Sequence, residues 1–316
     1  MAREVREGLR QSPRSIPPKY FYDGEGSRLF DEICTLPEYY LTRAEGALLD
    51  AQGPAIVEGA RATALVEIGS GMARKTRPLL AALCARCPSP TYVPFDIAEE
   101  PVRSSSESLL REYPTLRACA VVGDFARDCA RLADAAPASR GPRLFAFLGS
   151  TIGNLDEDEA PALIRAVAEL MTEHDRFLLG VDLVKSPAVL HAAYNDARGV
   201  TAAFNRNVLA VLARELDGDG VDQGAFDHVA FYDARRERVE MHLAAVRTVT
   251  LTLRAADVRL ELARGDTIRT EISRKFTPDS AGRTLAAGGM ELIDWRTGPD
   301  RAFALCVARR AQGTGS

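Results

Sequence analysis

The sequence predicts an α/β fold built on a doubly wound, mostly parallel sheet, and three observations carry that prediction. From residue 64 to residue 184, short apolar runs alternate with helical segments, the order expected when helices cover both faces of a parallel sheet. The first run, Ala64-Leu65-Val66, leads into Glu67-Ile68-Gly69-Ser70-Gly71, an acidic strand end followed by a tight glycine turn and then a helix. After residue 184 the apolar residues alternate with a period of two, and near residue 278 the α/β character returns. The simplest architecture is a Rossmann-like domain interrupted by an α+β insertion.

The elements follow in order. Strands are expected at 64–68, 91–95, 117–122, 143–149 and 176–183, each rich in Val, Leu, Ile or Phe. The helix after the glycine turn has Leu79, Leu80, Leu83 and Cys84 on one face. A further helix, from Asp156 to about Met171, opens on acidic residues that suit its dipole and buries Leu163, Ile164, Val167 and Leu170. In the insertion, a helix over 201–216 presents Phe204, Val208, Leu212 and Leu216. Strands at 226–233, 238–245, 247–253, 258–262 and 267–276 then read as antiparallel. A helix over 278–288 and strands at 290–296 and 302–309 complete the sheet. The expected division is 44–184 with 277–316 as one domain, and 1–43 with 185–276 as the other. An insertion beside the ligand edge of such a sheet is well placed to cover a substrate.

Composition narrows the function. The 316 residues carry a net charge of −4 and no basic run, which argues against phosphate-neutralising contact with nucleic acid. Met1 to Ser15 is polar and Arg-rich, without the apolar stretch of a signal peptide. No segment has the length and hydrophobicity to span a bilayer, so a cytoplasmic, soluble protein is expected. Six cysteines include a lone pair at C-x-x-C spacing, Cys84 and Cys87, without a second pair. Buried free thiols and no bound metal are expected, and the four scattered histidines read as ordinary polar residues. The tail Gly313-Thr314-Gly315-Ser316 is the one low-complexity segment.

The chemistry-bearing residues cluster at strand ends. Gly69 and Gly71 allow close approach of a ligand, but the third glycine of a dinucleotide motif is replaced by Arg74. An acid two residues before the first glycine, Glu67, suits a ligand with an amino-acid tail, of which S-adenosylmethionine (SAM) is one. Asp96 ends the second strand, where a carboxylate can accept both hydroxyls of a ribose or cap a helix. Asp124 ends the third, where it can accept from an adenine amino group. Three acids on successive strands match the three parts of SAM. Strand four ends in Phe147-Leu148-Gly149-Ser150-Thr151-Ile152-Gly153-Asn154, not the Asp/Asn-Pro-Pro-aromatic motif of many enzymes that methylate planar nitrogens. Asn154 offers both donor and acceptor, to a substrate or to the next helix.

In Thr267 to Phe276, strict alternation puts Ile268, Thr270 and Ile272 on one face and Arg269, Glu271, Ser273 and Lys275 on the other. Glu271 and Ser273 are then neighbours, roughly 6.5–7 Å apart at Cα. Such a pair can hold the two nitrogens of an imidazole or simply face solvent. Met241 shares an apolar face with Val239 and Leu243. Tyr22, Tyr39 and Tyr40 stand in Pro/Gly-rich stretches, off any periodic core face, where tyrosines contact ligands or pack on neighbours.

Long stretches of the chain resemble the SAM-dependent L-histidine Nα-methyltransferases of ergothioneine biosynthesis. They include Pro18-Lys19-Tyr20-Phe21-Tyr22-Asp23, Leu36-Pro37-Glu38-Tyr39-Tyr40-Leu41-Thr42-Arg43-Ala44-Glu45, the segment Phe147 to Leu155, Asp182-Leu183-Val184-Lys185, Phe204-Asn205-Arg206-Asn207-Val208-Leu209 and Thr270-Glu271-Ile272-Ser273. The resemblance implies a class I methyltransferase domain with a second, α+β substrate domain. It implies SAM contacts at Gly69, Lys75, Asp96, Asp124 and Phe125. Tyr39, Asn154 and Tyr194 would hold the histidine carboxylate and amine, with Tyr22 and Gly149 near the amine, and Glu271 and Ser273 would grip the ring beside Met241. Asn154 and Tyr22 would hold the reacting amine. Two positions depart from the family pattern: Met72-Ala73 replaces a small hydroxylated pair, and Arg274 stands where Cys or an aromatic is expected.

The expected activity is three methyl transfers from SAM to the α-amino nitrogen of L-histidine, giving hercynine, by a monomer acting on small molecules. Two alternatives stand beside it. One is a methyltransferase of the same fold for another aromatic amino acid or amine, and the other is a non-catalytic SAM-binding module.

Overall fold

The computed structural model describes residues 1–312, and the tail Gly313-Thr314-Gly315-Ser316 lies outside the described residues. Strands β1 Ala64–Ile68, β2 Thr91–Asp96, β3 Arg117–Ala118, β4 Val121–Val122, β5 Arg143–Phe147 and β6 Arg176–Asp182 come first. There follow β7 Gly218–Asp219, β8 Phe226–Asp233, β9 Arg238–Ala245, β10 Val249–Leu253, β11 Val258–Leu262 and β12 Thr267–Arg274. The last two are β13 Met290–Thr297 and β14 Phe303–Arg310.

The chain forms two compact units, one of Met1–Tyr40 with Lys185–Arg274, the other of Leu41–Val184 with the chain from Lys275 onward. These divisions lie at 40/41 and 274/275, not at 43/44 and 276/277. Leu41 already opens the helix Leu41–Gly59, whose Leu48, Leu49, Ile56 and Val57 pack on Leu65, Leu144 and Leu178. Beyond β12 the chain is tied to β6, with the Phe276 N–H donating to the Asp182 carbonyl at 2.8 Å.

In the parallel-sheet unit the strand order is β13-β14-β6-β5-β1-β2-β3, with β4 also on β2. The strands from β3 to β6 pair in parallel, and the β13–β14 hairpin closes one edge antiparallel. Alternate side chains feed two cores: Val66, Val93, Phe145 and Leu179 on one face, Leu65, Tyr92, Leu144 and Leu178 on the other. Two-sided burial is why these strands read as unbroken apolar runs. The run at 117–122 is split into β3 and β4, with Cys119 and Ala120 exposed between them. β5 stops at Phe147 because Gly149 and Ser150 take φ of 78° and 55°. The helix expected from Asp156 begins at Glu159.

The antiparallel unit holds two three-stranded sheets, β11-β10-β7 and β12-β9-β8. Its core joins Leu243, Val239 and Phe226 to Phe204, Val208 and Leu212 of the helix Val200–Glu215 and to Phe21, Leu29 and Ile33 of the N-terminal segment. That segment contains helices unforeseen from sequence, Ala2–Arg10 and Gly24–Ile33. Two more, Leu41–Gly59 and Pro187–Tyr194, were also unforeseen, and the first of these carries Gly46, Gly53 and Pro54 inside it. No described helix is long and apolar enough to cross a membrane.

Candidate functional site

The residues expected to act are distributed over both units, and each set has its own internal geometry. In the parallel-sheet unit the carboxyl ends of β1, β2 and β4 bring Glu67, Asp96 and Asp124 to one edge, where ligands bind in open α/β sheets. The turn after β1 is left-handed at Gly69 and Gly71, with φ of 68° and 48°. A Cβ at Gly71 would meet nothing within 4 Å, so the space above it is open.

Glu67 itself lies beneath this turn. It is buried, and its two carboxylate oxygens accept from the hydroxyls of Thr76 and Tyr92. Burial pushes its pKa up to about 7 against the lowering effect of those two hydroxyls. A carboxyl whose pKa is raised on folding adds stability below its unfolded pKa, and that contribution fades as pH rises through the folded value. Glu67→Gln is therefore expected to flatten the fall in stability between about pH 4.5 and pH 7, and urea titrations across this range check it. An unchanged slope would mean the carboxyl titrates normally.

Asp96 spans the two turns: Oδ2 accepts the Gly71 N–H at 2.8 Å and Oδ1 the Ala98 N–H at 3.0 Å. Each oxygen keeps a second lone pair for a further donor. Asp124 follows β4, and its N–H donates to Asp128 Oδ2 at 2.9 Å at the start of a short helix. Phe125 meets Phe95 edge-on at 5.7 Å.

Lys75 pairs with Glu45, a residue the sequence did not single out. Glu45 is fully buried, and its other oxygen accepts the Gly149 N–H at 2.6 Å. A Cβ at residue 180 would sit 2.3 Å from Glu45 Oε1, so Gly180 makes room for this carboxylate. Nothing in the sequence set Glu45 apart: it is one of three acids in a helix whose periodicity is blurred. Asn154 ends the short helical turn Thr151–Asn154. Among the described residues its amide makes no hydrogen bond, and Asp158, not Asn154, precedes the helix Glu159–Leu170.

In the antiparallel unit the decisive feature is a bulge in β12. The register against β9 runs Thr267 with Ala244, Ile268 with Leu243 and Arg269 with His242, then shifts so that Glu271 faces Met241 and Ser273 faces Val239. One extra residue reverses the alternation. Glu271 and Ser273 thus join Ile268 and Met241 on one face, and the expected grouping with Arg269 is corrected. Arg274 pairs with Arg238 on the opposite face. Lys275, also expected beside Glu271, instead forms a fully buried ion pair with Asp182 in the parallel-sheet unit.

Around this face the tyrosines gather. Tyr194 is buried, and its hydroxyl donates to Ser273 Oγ at 2.7 Å. Burial first, then Tyr194, Cys34, Tyr22 and Glu271 nearby, hold the Tyr39 phenol well above its usual pKa, so it is a neutral donor. Tyr22 is 45% exposed and lies edge-on to Phe30 and Phe204. Its neighbour Asp23 caps the helix Gly24–Ile33 through Gly26 N–H and accepts from Asn207 Nδ2, both at 2.8 Å. Tyr40 accepts from Lys185 Nζ at 2.7 Å. Among the described residues no cluster of three metal-ligating side chains occurs, and all six cysteines are free thiols.

Comparison with known proteins identifies the family. A family profile described as "Histidine-specific methyltransferase, SAM-dependent" matches residues 1–310. The chain is 43% identical over 310 residues to the histidine N-alpha-methyltransferase of Mycobacterium tuberculosis, covering 98% of this chain and 95% of that one. The Mycolicibacterium smegmatis protein of the same name is 42% identical over the same length. Among solved structures, a putative methyltransferase from Thermobifida fusca matches with a TM-score of 0.50 at 13% identity, over 94% of this chain and 95% of that one, a likeness of fold. A match over nearly the whole length, on a sheet of this topology, makes the chain a member of the SAM-dependent, histidine-specific methyltransferase family.

Proposed function

We propose that this protein transfers three methyl groups, one at a time, to the α-amino nitrogen of L-histidine, giving hercynine for ergothioneine biosynthesis. SAM supplies each methyl group as an electrophilic carbon on a sulfonium and leaves as S-adenosylhomocysteine. The histidine amine enters as an ammonium, so one proton is lost before each of the three transfers. The nitrogen lone pair then forms the new N–C bond as the C–S bond breaks. Holding the lone pair in line with that bond supplies most of the acceleration, a task for Asn154 and Tyr22. Gly149 leaves room near the amine, and Tyr39 and Tyr194 hold the histidine carboxylate and amine together with Asn154.

What supports histidine as substrate is the face of β12 and β9 on which Glu271, Ser273 and Met241 stand together. A carboxylate and a hydroxyl two residues apart suit the N–H and the bare nitrogen of an imidazole, with a thioether beside the ring. On the cofactor side, Lys75, the Gly69–Gly71 turn, Asp96, Asp124 and Phe125 offer a cation for a carboxylate, an open backbone, a ribose acceptor, an adenine acceptor and an aromatic wall. Glu67 then acts through the turn it supports. The same reading has a cytoplasmic monomer, and a dimer in light scattering would contradict that.

Mass spectrometry of L-histidine incubated with SAM and the protein tests the activity, with hercynine the expected end product and no methylated histidine the overturning result. Asp96→Ala is expected to weaken SAM binding by about 1.5–3 kcal/mol, the worth of hydrogen bonds to a charged group. Calorimetry showing unchanged affinity in a folded variant would remove Asp96 from the ribose.

A further inference from the structure

We infer that Asn205 and Thr270 are positioning residues for ring recognition, because they hold the bulge that turns Glu271 and Ser273 onto the face of Met241. The inference rests on the proposal that this pair reads the imidazole. An extra residue in a strand interrupts the ladder and must be held by something else. Thr270 is that residue, lying between the two registers and 1% exposed. Its one hydroxyl proton is shared between Asn205 Oδ1 at 2.6 Å and the carbonyl of Met241 at 3.1 Å.

Asn205, fully buried on the helix Val200–Glu215, bonds through both ends of its amide. Its Nδ2 donates to the His242 carbonyl at 3.0 Å and to His228 Nδ1 at 2.8 Å. An accepting Nδ1 places the His228 proton on Nε2, which donates to the Tyr194 carbonyl at 2.9 Å. The Tyr194 hydroxyl donates to Ser273 Oγ, three residues beyond Thr270. The circuit is closed: Thr270, Asn205, His228, Tyr194, Ser273 and back along the strand. Neither Asn205 nor Thr270 is needed to touch a ligand. Without them β12 can revert to strict alternation, which sends Glu271 and Ser273 to the Arg269 face.

The test pairs Thr270→Val, which keeps the shape and removes the hydroxyl, with Thr270→Ser, which keeps the hydroxyl. Thr270→Val is expected to raise the KM for histidine about tenfold or more, equivalent to one lost buried hydrogen bond. SAM affinity by calorimetry should stay unchanged. Thr270→Ser should restore a KM within about twofold of the parent, because the same bonds reform. A folded Thr270→Val enzyme with parental KM overturns the inference. So does a Thr270→Ser enzyme with KM raised tenfold, whether or not Thr270→Val folds. Glu271→Ala in the same assay separates the two levels. If it too leaves histidine turnover unchanged, the ring assignment fails, and if it alone impairs turnover, only the positioning role fails.

Discussion

Lys275→Ala is expected to destabilise the protein by roughly 3–5 kcal/mol, the cost of removing one partner from a buried ion pair. Both side chains are 0% exposed, with Lys275 Nζ 2.8 Å from Asp182 Oδ2. Alanine would leave the Asp182 carboxylate in the interior without its ammonium partner. Urea unfolding checks the value, and a loss under about 1 kcal/mol would mean that the charge is compensated elsewhere. The uncharged double variant Asp182→Asn with Lys275→Met should recover much of the loss, since it strands no charge. The effect should also reach the turn after β5. Asp182 donates its N–H to Ser150 Oγ at 2.9 Å, and Ser150 holds a left-handed φ of 55° directly after Gly149. Turnover is therefore expected to fall even where the variant remains folded.

Glu271→Ala is expected to lower kcat/KM for histidine by roughly 2–3 kcal/mol, about 30- to 150-fold, the loss of one charge-assisted hydrogen bond. A carboxylate opposite a ring N–H discriminates strongly because a ring without that donor leaves the charge unpaired. Histidine KM should carry most of the change. Shortening Met241 in the same variant should open space for a larger ring such as indole. Competition between histidine and tryptophan reads both effects directly. A Glu271→Ala enzyme with parental kcat/KM for histidine would remove Glu271 from the ring and reopen the choice of substrate.

Much of the fold was legible because its signals are local. β1, β8, β9 and β11 have the limits their alternation or apolar runs predict. Buried on two faces, β1 reads as an apolar run broken only by Glu67, and its glycine turn announces itself. The helix Leu41–Gly59 was not legible, because Gly46, Gly53 and Pro54 blur its periodicity and its stability comes from packing on Leu65 and Leu144. The strand-end acids could be named from sequence, but their partners could not. Glu45 on Lys75 and Gly149, and Tyr92 on Glu67, join residues far apart in the chain.

The sequence by itself determined the α/β class, the order of most strands, the interruption after residue 184 and the residue types at the strand ends. Each of these follows from the side-chain period or the backbone freedom of a short stretch. Only the tertiary structure decided which way Glu271 and Ser273 face. Alternation alone sends them to the side of Arg269, and the bulge at Thr270 sends them to the side of Met241. That bulge is held by Asn205, 65 positions away on a helix. A local period cannot register a hydrogen bond that exists only once the helix has packed against the sheet.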